Sequence, residues 1–122
     1  MISIVDDDTS AREATKSLVR SLGYSVVTFA SAEDFLQSDR IADTSCLIAD
    51  VQMPGLNGME LQRALIAQGH HMPMIFITAS TEEKTRARAL KDGAIGFLTK
   101  PFDVDLLIAY IQTALTGRTV EP

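Results

Sequence analysis

Five short apolar runs, rich in β-branched and aromatic residues, alternate along the chain with segments of helical periodicity. The runs predict strands, and the apolar residues spaced three or four positions apart between them predict amphipathic helices. Parallel strands need a crossover between them, so the alternation favours a parallel sheet with helices on both faces. It therefore predicts one α/β domain. The predicted strands occupy residues 2–5, 24–29, 46–49, 74–78 and 95–99.

The predicted helices have recognisable ends. Asp8 is expected to cap the first helix or to interact with its dipole, because its side chain can accept hydrogen bonds from the free N–H groups of the first turn. Gly23 follows the last turn of this helix, and Ser31 precedes the second helix. The other three are expected at about residues 58–68, 81–92 and 104–115. The last helix is predicted to present one apolar face, formed by Val104, Leu107, Ile108, Ile111 and Leu115.

Composition and charge restrict the class of protein. The 122 residues carry a net charge of −5 and are 46% hydrophobic, which suits one globular domain with its own core. The acidic balance argues against direct binding to nucleic acid or to an anionic membrane, because both need a basic surface. No apolar run approaches the roughly 20 residues of a membrane span, and we expect a cytoplasmic location. Cys46 is interpreted as a buried small apolar residue, and the adjacent His70 and His71 as loop residues.

Ionisable and hydroxyl side chains stand where four of the predicted strands end. In sheets of this kind ligands bind outside the carboxyl ends of the strands, so these side chains are expected to meet. Crowded carboxylates must hold a proton or bind a cation, and an all-oxygen site suits Mg²⁺, with Mn²⁺ as a substitute. A lysine beside them pairs with phosphoryl oxygens. The set therefore predicts phosphoryl transfer to an aspartate. The residues are Asp6, Asp7, Asp50, Thr78 and Lys100.

Four motifs in this order resemble the receiver domain of bacterial two-component response regulators, from residue 2 to about residue 115. They are the acidic pair Asp6-Asp7, the block Asp-Val-Gln-Met-Pro-Gly-Leu-Asn-Gly at 50–58, the run Ile-Phe-Ile-Thr-Ala at 75–79, and Lys-Pro-Phe at 100–102. The 50–58 block and the residues after it are most similar to the FixJ/LuxR-type subgroup. The resemblance implies a flavodoxin-like three-layer sandwich, a doubly wound (βα)5 fold with strand order 2-1-3-4-5. It also implies a receiver domain at 1–116 and, at 117–122, the start of a linker to an absent output domain.

The resemblance assigns a role to each residue of the set. Asp50 would accept a phosphoryl group from a phosphohistidine of a sensor histidine kinase. Asp50 and Asp7 would bind Mg²⁺ directly and Asp6 directly or through water, with the backbone carbonyl of Gln52 as a further ligand. Lys100 would pair with a phosphoryl oxygen.

The resemblance also implies a conformational switch at the same edge of the sheet. Thr78 would swing its hydroxyl toward the phosphoryl group, beside the exposed backbone at Ala79, and Phe97 would turn inward. These changes would reshape the face formed by the fourth helix, the fifth strand and the fifth helix. A cis peptide bond is expected at Lys100-Pro101. Gln52 and Ser80 would help to set the lifetime of the phosphoryl group.

The sequence thus predicts a phosphorylation-dependent module without independent substrate turnover, controlling an output domain that regulates transcription. Two alternatives stay open. One is a stand-alone receiver that acts by protein–protein interaction. The other is a Mg²⁺-dependent phosphohydrolase, which fits less well because its Asp-x-Asp signature needs an acid where Gln52 stands.

The fourth predicted helix is basic and has two interpretations. It is either a solvated face, with pairs such as Glu82–Arg86 and Arg88–Asp92 four residues apart, or half of a homodimer interface that forms on phosphorylation. Its basic residues are Lys84, Arg86, Arg88 and Lys91.

Overall fold

Strands and helices alternate strictly in the computed structural model, which describes residues 1–79 and 82–116. Ser80 and the expected linker at 117–122 lie outside the described residues. The strands are β1 (Ile2–Val5), β2 (Val26–Phe29), β3 (Cys46–Ala49), β4 (Met74–Thr78) and β5 (Gly96–Thr99). The helices are α1 (Thr9–Ser21), α2 (Ala32–Gln37), α3 (Gly58–Ala67), α4 (Glu83–Lys91) and α5 (Val104–Thr116).

The five strands form one parallel sheet in the order β2-β1-β3-β4-β5. This order confirms the predicted doubly wound fold. It reverses between β1 and β3, which lie side by side in register, with Val5 opposite Ala49. The residues that follow these two strands therefore emerge next to each other at the carboxyl edge of the sheet, where a ligand site is expected.

Each face of the sheet packs against its own group of helices. Successive side chains of a strand point to opposite faces, so β3 contributes Leu47 and Ala49 to one core cluster and Cys46 and Ile48 to the other. Helices α2, α3 and α4 cover the first face, and α1 and α5 cover the second. Because both faces are buried, β1, β3 and β4 contain almost no polar residues.

The structure departs from the sequence prediction at several element ends. Strand β2 begins at Val26 rather than at residue 24, and β5 begins at Gly96 rather than at residue 95. Val104 was predicted on the buried face of α5, but it is 43% exposed. The prediction was wrong because residues 103–106 are all exposed, so the helix meets the sheet from Leu107 onward.

Two predictions about single residues are confirmed. Asp8 caps α1, accepting hydrogen bonds from the backbone N–H groups of Ser10 and Ala11. Cys46 is buried in β3, and burial raises the pKa of its thiol to about 12, so the reactive thiolate does not form at neutral pH.

No helix within the described ranges combines the length and the apolar content that a bilayer-spanning segment needs.

Adjacent leucines of α5 provide a test of this packing. Leu107 is fully buried, whereas Leu106 is 40% exposed. We expect Leu107→Ala to lower the free energy of unfolding by about 2–5 kcal/mol, because it removes buried contacts and leaves a cavity. Leu106→Ala, the matched control, should change it by less than about 0.5 kcal/mol. Urea denaturation followed by circular dichroism measures both values, and equal losses would contradict the assigned face of α5.

Candidate functional site

Three carboxylates meet at the carboxyl edge of the sheet. Asp6 and Asp7 follow β1, Asp50 follows β3, and one carboxylate oxygen of each lies within 4.8 Å of the others. Asp6 and Asp50 are buried, and Asp7 is exposed. Side chains separated by more than forty positions in sequence are thus brought together by the neighbouring ends of β1 and β3, as the predicted topology requires.

Lys100 is the positive charge of this acidic pocket. It follows β5, and its Nζ lies 3.0 Å from Oδ2 of Asp50 and 3.4 Å from Oδ2 of Asp6. The ammonium donates hydrogen bonds to both carboxylates. Its side chain is 28% exposed, so the ion pairs are only partly screened by solvent.

The pocket shifts the acid–base behaviour of two of its members. Burial raises the pKa of Asp6, and the charge of Asp50 adds to the effect, although a backbone hydrogen bond from Asp8 and the charge of Lys100 oppose it. Burial alone would lower the pKa of Lys100, but its hydrogen bond to Asp50 and the charges of Asp50 and Asp6 outweigh burial and raise it. Lys100 therefore stays protonated at neutral pH, and burial, more than the neighbouring carboxylate, raises the pKa of Asp6.

The donor set of the pocket fits a hard divalent cation. It consists of carboxylate oxygens from two adjoining loops, with one exposed carboxylate facing solvent, and Mg²⁺ prefers such oxygen ligands while keeping several waters. Asp6, Asp7 and Asp50 are the residues that could hold it.

Thr78 and Lys100 lie at the ends of adjacent strands. Thr78 is fully buried as the last residue of β4, and its backbone carbonyl accepts a hydrogen bond of 2.8 Å from the Lys100 N–H. Ala79, which follows it, is exposed. The Lys100-Pro101 peptide bond is cis.

Phe97 lies in β5, on the side of the sheet that α4 covers. Its half-buried ring packs on Phe76 of β4, with ring centroids 6.2 Å apart. It packs against the core cluster on the face covered by α2, α3 and α4.

The loop after β3 is fixed close to the phosphoacceptor candidate. The Gln52 N–H donates a 3.0 Å hydrogen bond to Oδ1 of Asp50, which orients the carboxylate. Gly58 is the first residue of α3, and its N–H donates a hydrogen bond to the carbonyl of Val51. A Cβ at this position would lie 2.5 Å from the carbonyl oxygen of Asp50. Gly58 therefore permits the close approach of α3, a role beyond the small helix-start residue that the sequence indicated.

Sequence reasoning missed a second attachment of this loop. Glu33 of α2 accepts a 3.0 Å hydrogen bond from the backbone N–H of Leu56, and this bond lowers the pKa of the Glu33 carboxyl. Gly55 has a φ of +72°, and a Cβ there would clash with the Glu33 carboxylate. A capping box at the start of α3, visible in the sequence as Asn57-x-x-Glu60, completes the anchoring.

Arg12 is another neighbour of the pocket that the sequence did not reveal. Its Nη1 donates a 2.7 Å hydrogen bond to the backbone carbonyl of Asp6. Helical spacing predicted that Arg12 belongs to α1, but it gave no sign that the side chain turns back toward the strand end.

The histidines lie outside the acidic pocket. His70 and His71 occupy the connection between α3 and β4, as predicted. Within the described part of the chain, the three aspartates are the group of acidic, histidine or cysteine side chains close enough to share a metal ion.

The basic residues of α4 are all exposed. Arg86 pairs with Glu83 at 3.3 Å, and Asp92 lies 4.0 Å from Arg63 of α3 rather than beside Arg88 as predicted. These side chains face solvent in the single chain, as both interpretations of the face require, and a contact between helices takes the place of one predicted ion pair.

Comparison with known proteins decides the family. Residues 2–112 match the family described as response regulator receiver domain. The chain belongs to this receiver family. Receiver domains are signalling domains that bind Mg²⁺ at an acidic pocket, and Asp6, Asp7 and Asp50 form such a pocket here.

The curated relatives that match this chain are longer than it is. Nodulation protein W of Bradyrhizobium diazoefficiens is 44% identical over 97% of this chain and 52% of its own length. The response regulator protein TmoT of Ectopseudomonas mendocina is 44% identical over 94% of this chain and 52% of its own length. The chain spans about half the length of these curated relatives.

Solved structures agree with the receiver fold and with a FixJ-like subgroup. The response regulator StyR matches with a TM-score of 0.88 and 42% identity, over 95% of this chain and 59% of that chain. The FixJ-N structure matches with a TM-score of 0.85 and 30% identity, over 98% of this chain and 96% of that chain.

The anchoring of the loop by Glu33 predicts a pH dependence of stability. Because the folded-state pKa of Glu33 is lowered, its contribution is present above the ordinary glutamate value of 4.5 and is lost as the pH falls through the lower folded value. We expect Glu33→Gln to destabilise the protein at pH 7, with the difference from wild type shrinking below pH 4.5.

Thermal denaturation across this pH range measures the effect. Asp34→Asn removes a carboxylate from the same turn of α2 without touching Leu56, and it serves as the control. A Glu33→Gln deficit that is constant with pH would contradict the proposed contact.

Proposed function

We propose that this receiver domain accepts a phosphoryl group from a sensor histidine kinase on Asp50, in a Mg²⁺-dependent reaction that switches its output face. The observation that carries the proposal is the position of Asp50. Its buried carboxylate lies 3.0 Å from the Lys100 ammonium and within reach of two further carboxylates that suit a metal.

The arrangement around Asp50 favours nucleophilic attack on phosphorus. Gln52 and Lys100 hold its two oxygens, so the carboxylate reaches the phosphoryl group already oriented. A carboxylate oxygen forms the new P–O bond while the P–N bond to the phosphohistidine breaks. The histidine ring, protonated at its other nitrogen, leaves as neutral imidazole.

The remaining residues neutralise and hold the transferred group. Mg²⁺, held by Asp6, Asp7, Asp50 and the backbone carbonyl of Gln52, would supply positive charge to the phosphoryl oxygens. Lys100 pairs with another phosphoryl oxygen, and its raised pKa keeps it charged for that task. The backbone at Ala79 and the Thr78 hydroxyl bind the same group.

Loss of the phosphoryl group proceeds by attack of water on the aspartyl phosphate. Gln52 and Ser80 influence this lifetime by controlling access of water. Since neither residue is acidic or basic, neither supplies a general base for the attack. The domain thus catalyses its own phosphorylation and dephosphorylation without turning over a separate substrate.

The packing of α4 supports a switch at the face formed by α4, β5 and α5. Among the nine residues of α4, all of them described, Ala89 is the one that is buried. An open surface pocket of about 510 Å³ lies between its start and the loop after β3 and is lined by Met53, Pro54 and Thr85, among others. An element with few buried contacts rearranges at low cost. Movement of Thr78 and Phe97 would therefore shift α4 and expose a homodimer interface.

The relatives suggest what the switch controls. FixJ of Azorhizobium caulinodans, described as a transcriptional regulatory protein, is 38% identical over 98% of this chain and 56% of its own length. We infer a receiver domain at 1–116, a linker from 117 and a DNA-binding output domain, all in the cytoplasm. The acidic receiver itself makes no contact with nucleic acid or membrane.

A helix-turn-helix encoded after residue 122 is expected, whereas a stop codon there would favour the stand-alone alternative.

The phosphoacceptor assignment is tested by incubating the protein with Mg²⁺ and acetyl phosphate. We expect the wild type to gain the mass of one phosphoryl group and Asp50→Asn to gain none, because the amide is not a nucleophile. Asp39→Asn, at a side chain that is 97% exposed, is the matched control and should be phosphorylated normally. Intact-mass spectrometry with and without EDTA gives the result, and modification of Asp50→Asn would show that another residue is the acceptor.

Lys100 is predicted to couple phosphorylation to the switch. Lys100→Ala should still bind Mg²⁺, since the carboxylates remain, but should not shift to a dimer when acetyl phosphate is added. Calorimetric titration and sedimentation velocity measure the two properties. Lys16→Ala, on α1, removes a lysine whose ammonium lies 4.0 Å from Glu13, and it should behave as wild type. An unchanged dimer shift in Lys100→Ala would disprove the coupling role.

A further inference from the structure

We propose that Arg12 is a positioning residue for the acidic pocket: it fixes the peptide unit between Asp6 and Asp7 so that both carboxylates face the cation together. This inference rests on the proposed Mg²⁺-dependent function and assigns a determinant of metal affinity outside the ligand set.

The contact is direct and short. Nη1 of Arg12 donates to the backbone carbonyl oxygen of Asp6 at 2.7 Å, and Nη2 reaches the hydroxyl of Thr9 at 3.5 Å. Hydrogen bonds from a charged donor are stronger than neutral ones, and this one is partly buried. The carbonyl that it holds belongs to the same planar peptide group as the N–H of Asp7.

Arg12 is itself held in place by the capping of α1. The backbone N–H of Arg12 donates to the carbonyl of Asp8 at 2.9 Å, and the Asp8 side chain caps the helix. The Asp8 N–H in turn donates to Oδ1 of Asp6 at 2.9 Å. The end of β1 and the start of α1 therefore form one hydrogen-bonded unit, with the Asp6–Asp7 peptide in its centre.

Removal of the guanidinium would release one part of this unit. The carboxylate of Asp6 would keep its bonds to Asp8 and Lys100. The peptide that carries Asp7 would lose the partner of its carbonyl and could rotate. Because the side chain of Asp7 is exposed, its direction depends on this peptide more than on surrounding packing. The expected consequence is a pocket whose third carboxylate is poorly aligned.

A purely electrostatic role would have the opposite sign. A cationic side chain near the pocket repels Mg²⁺, so removing its charge would strengthen binding, and the change would diminish at high salt. A positioning role predicts weaker binding at every salt concentration. The direction of the change in affinity therefore separates the two roles.

The experiment is a calorimetric titration of the full chain with Mg²⁺ at low and high salt, below the melting temperature of each variant. We expect Arg12→Met to bind Mg²⁺ about ten-fold more weakly, as is typical when a residue that orients a metal ligand is lost. Arg20→Met removes the same charge from the last turn of α1 and should keep wild-type affinity.

A spectroscopic measurement in the absence of metal tests the contact itself. The ¹⁵N chemical shift of Asp7 responds to a hydrogen bond at the preceding carbonyl, so it should move in Arg12→Met and stay constant in Arg20→Met. A merely structural role, expressed as lower global stability, would not move this resonance selectively.

The outcomes separate this inference from the proposed function. A wild-type protein that fails to bind Mg²⁺ would refute the function. Wild-type binding with unchanged or tighter binding by Arg12→Met would overturn the role of Arg12 alone. Should Arg12→Met fail to fold, Arg12→Lys retains the charge and the helix propensity. Wild-type affinity in Arg12→Lys, together with a displaced Asp7 resonance, would likewise overturn the inference.

Discussion

The ion pair between Lys100 and Asp50 is the interaction on which the rest of the site depends. Asp6 and Asp50 end adjacent strands, so their buried carboxylates repel each other, and a cation must compensate them. Lys100 follows β5, and β4 lies between β5 and β3 in the sheet. Since neighbouring strands lie about 4.8 Å apart, a side chain from β5 must span roughly two such spacings. The long stem of lysine meets this requirement, and a compact ammonium at its end contacts both carboxylates.

The sequence allowed prediction of features that follow from periodicity and topology. Strands β1, β3 and β4 have the predicted limits because their apolar runs end abruptly at charged or turn residues. The site residues were predictable because parallel strands bring their carboxyl ends to one edge. Val104 was misplaced because helical periodicity shows which residues share a face but not where along its length a helix first meets the sheet.

The contacts that the sequence did not reveal depend on how helices approach the sheet edge. The bonds from Glu33 to Leu56 and from Arg12 to Asp6 join a helix to a loop, and no local pattern encodes them. Gly58 was recognised as small, but the need for glycine became evident from the 2.5 Å approach of a Cβ to the Asp50 carbonyl. Such requirements arise from tertiary geometry, whereas the capping box of α3 is local and readable.

Charge balance connects this rigid edge with the loosely packed α4. Three carboxylates and one ammonium leave two negative charges, which one divalent cation neutralises. A phosphoryl group on Asp50 would carry about two negative charges in place of the carboxylate's one, so the site would gain about one negative charge and Lys100 would lose its carboxylate partner. Lys100 and Thr78 are the neighbours expected to respond to it. The loop after β3 is anchored by Glu33 and Gly58 and resists movement, whereas α4 buries Ala89 alone among its residues. The conformational response to the new charge is therefore expected in β4, β5 and α4 and not in the anchored loop after β3.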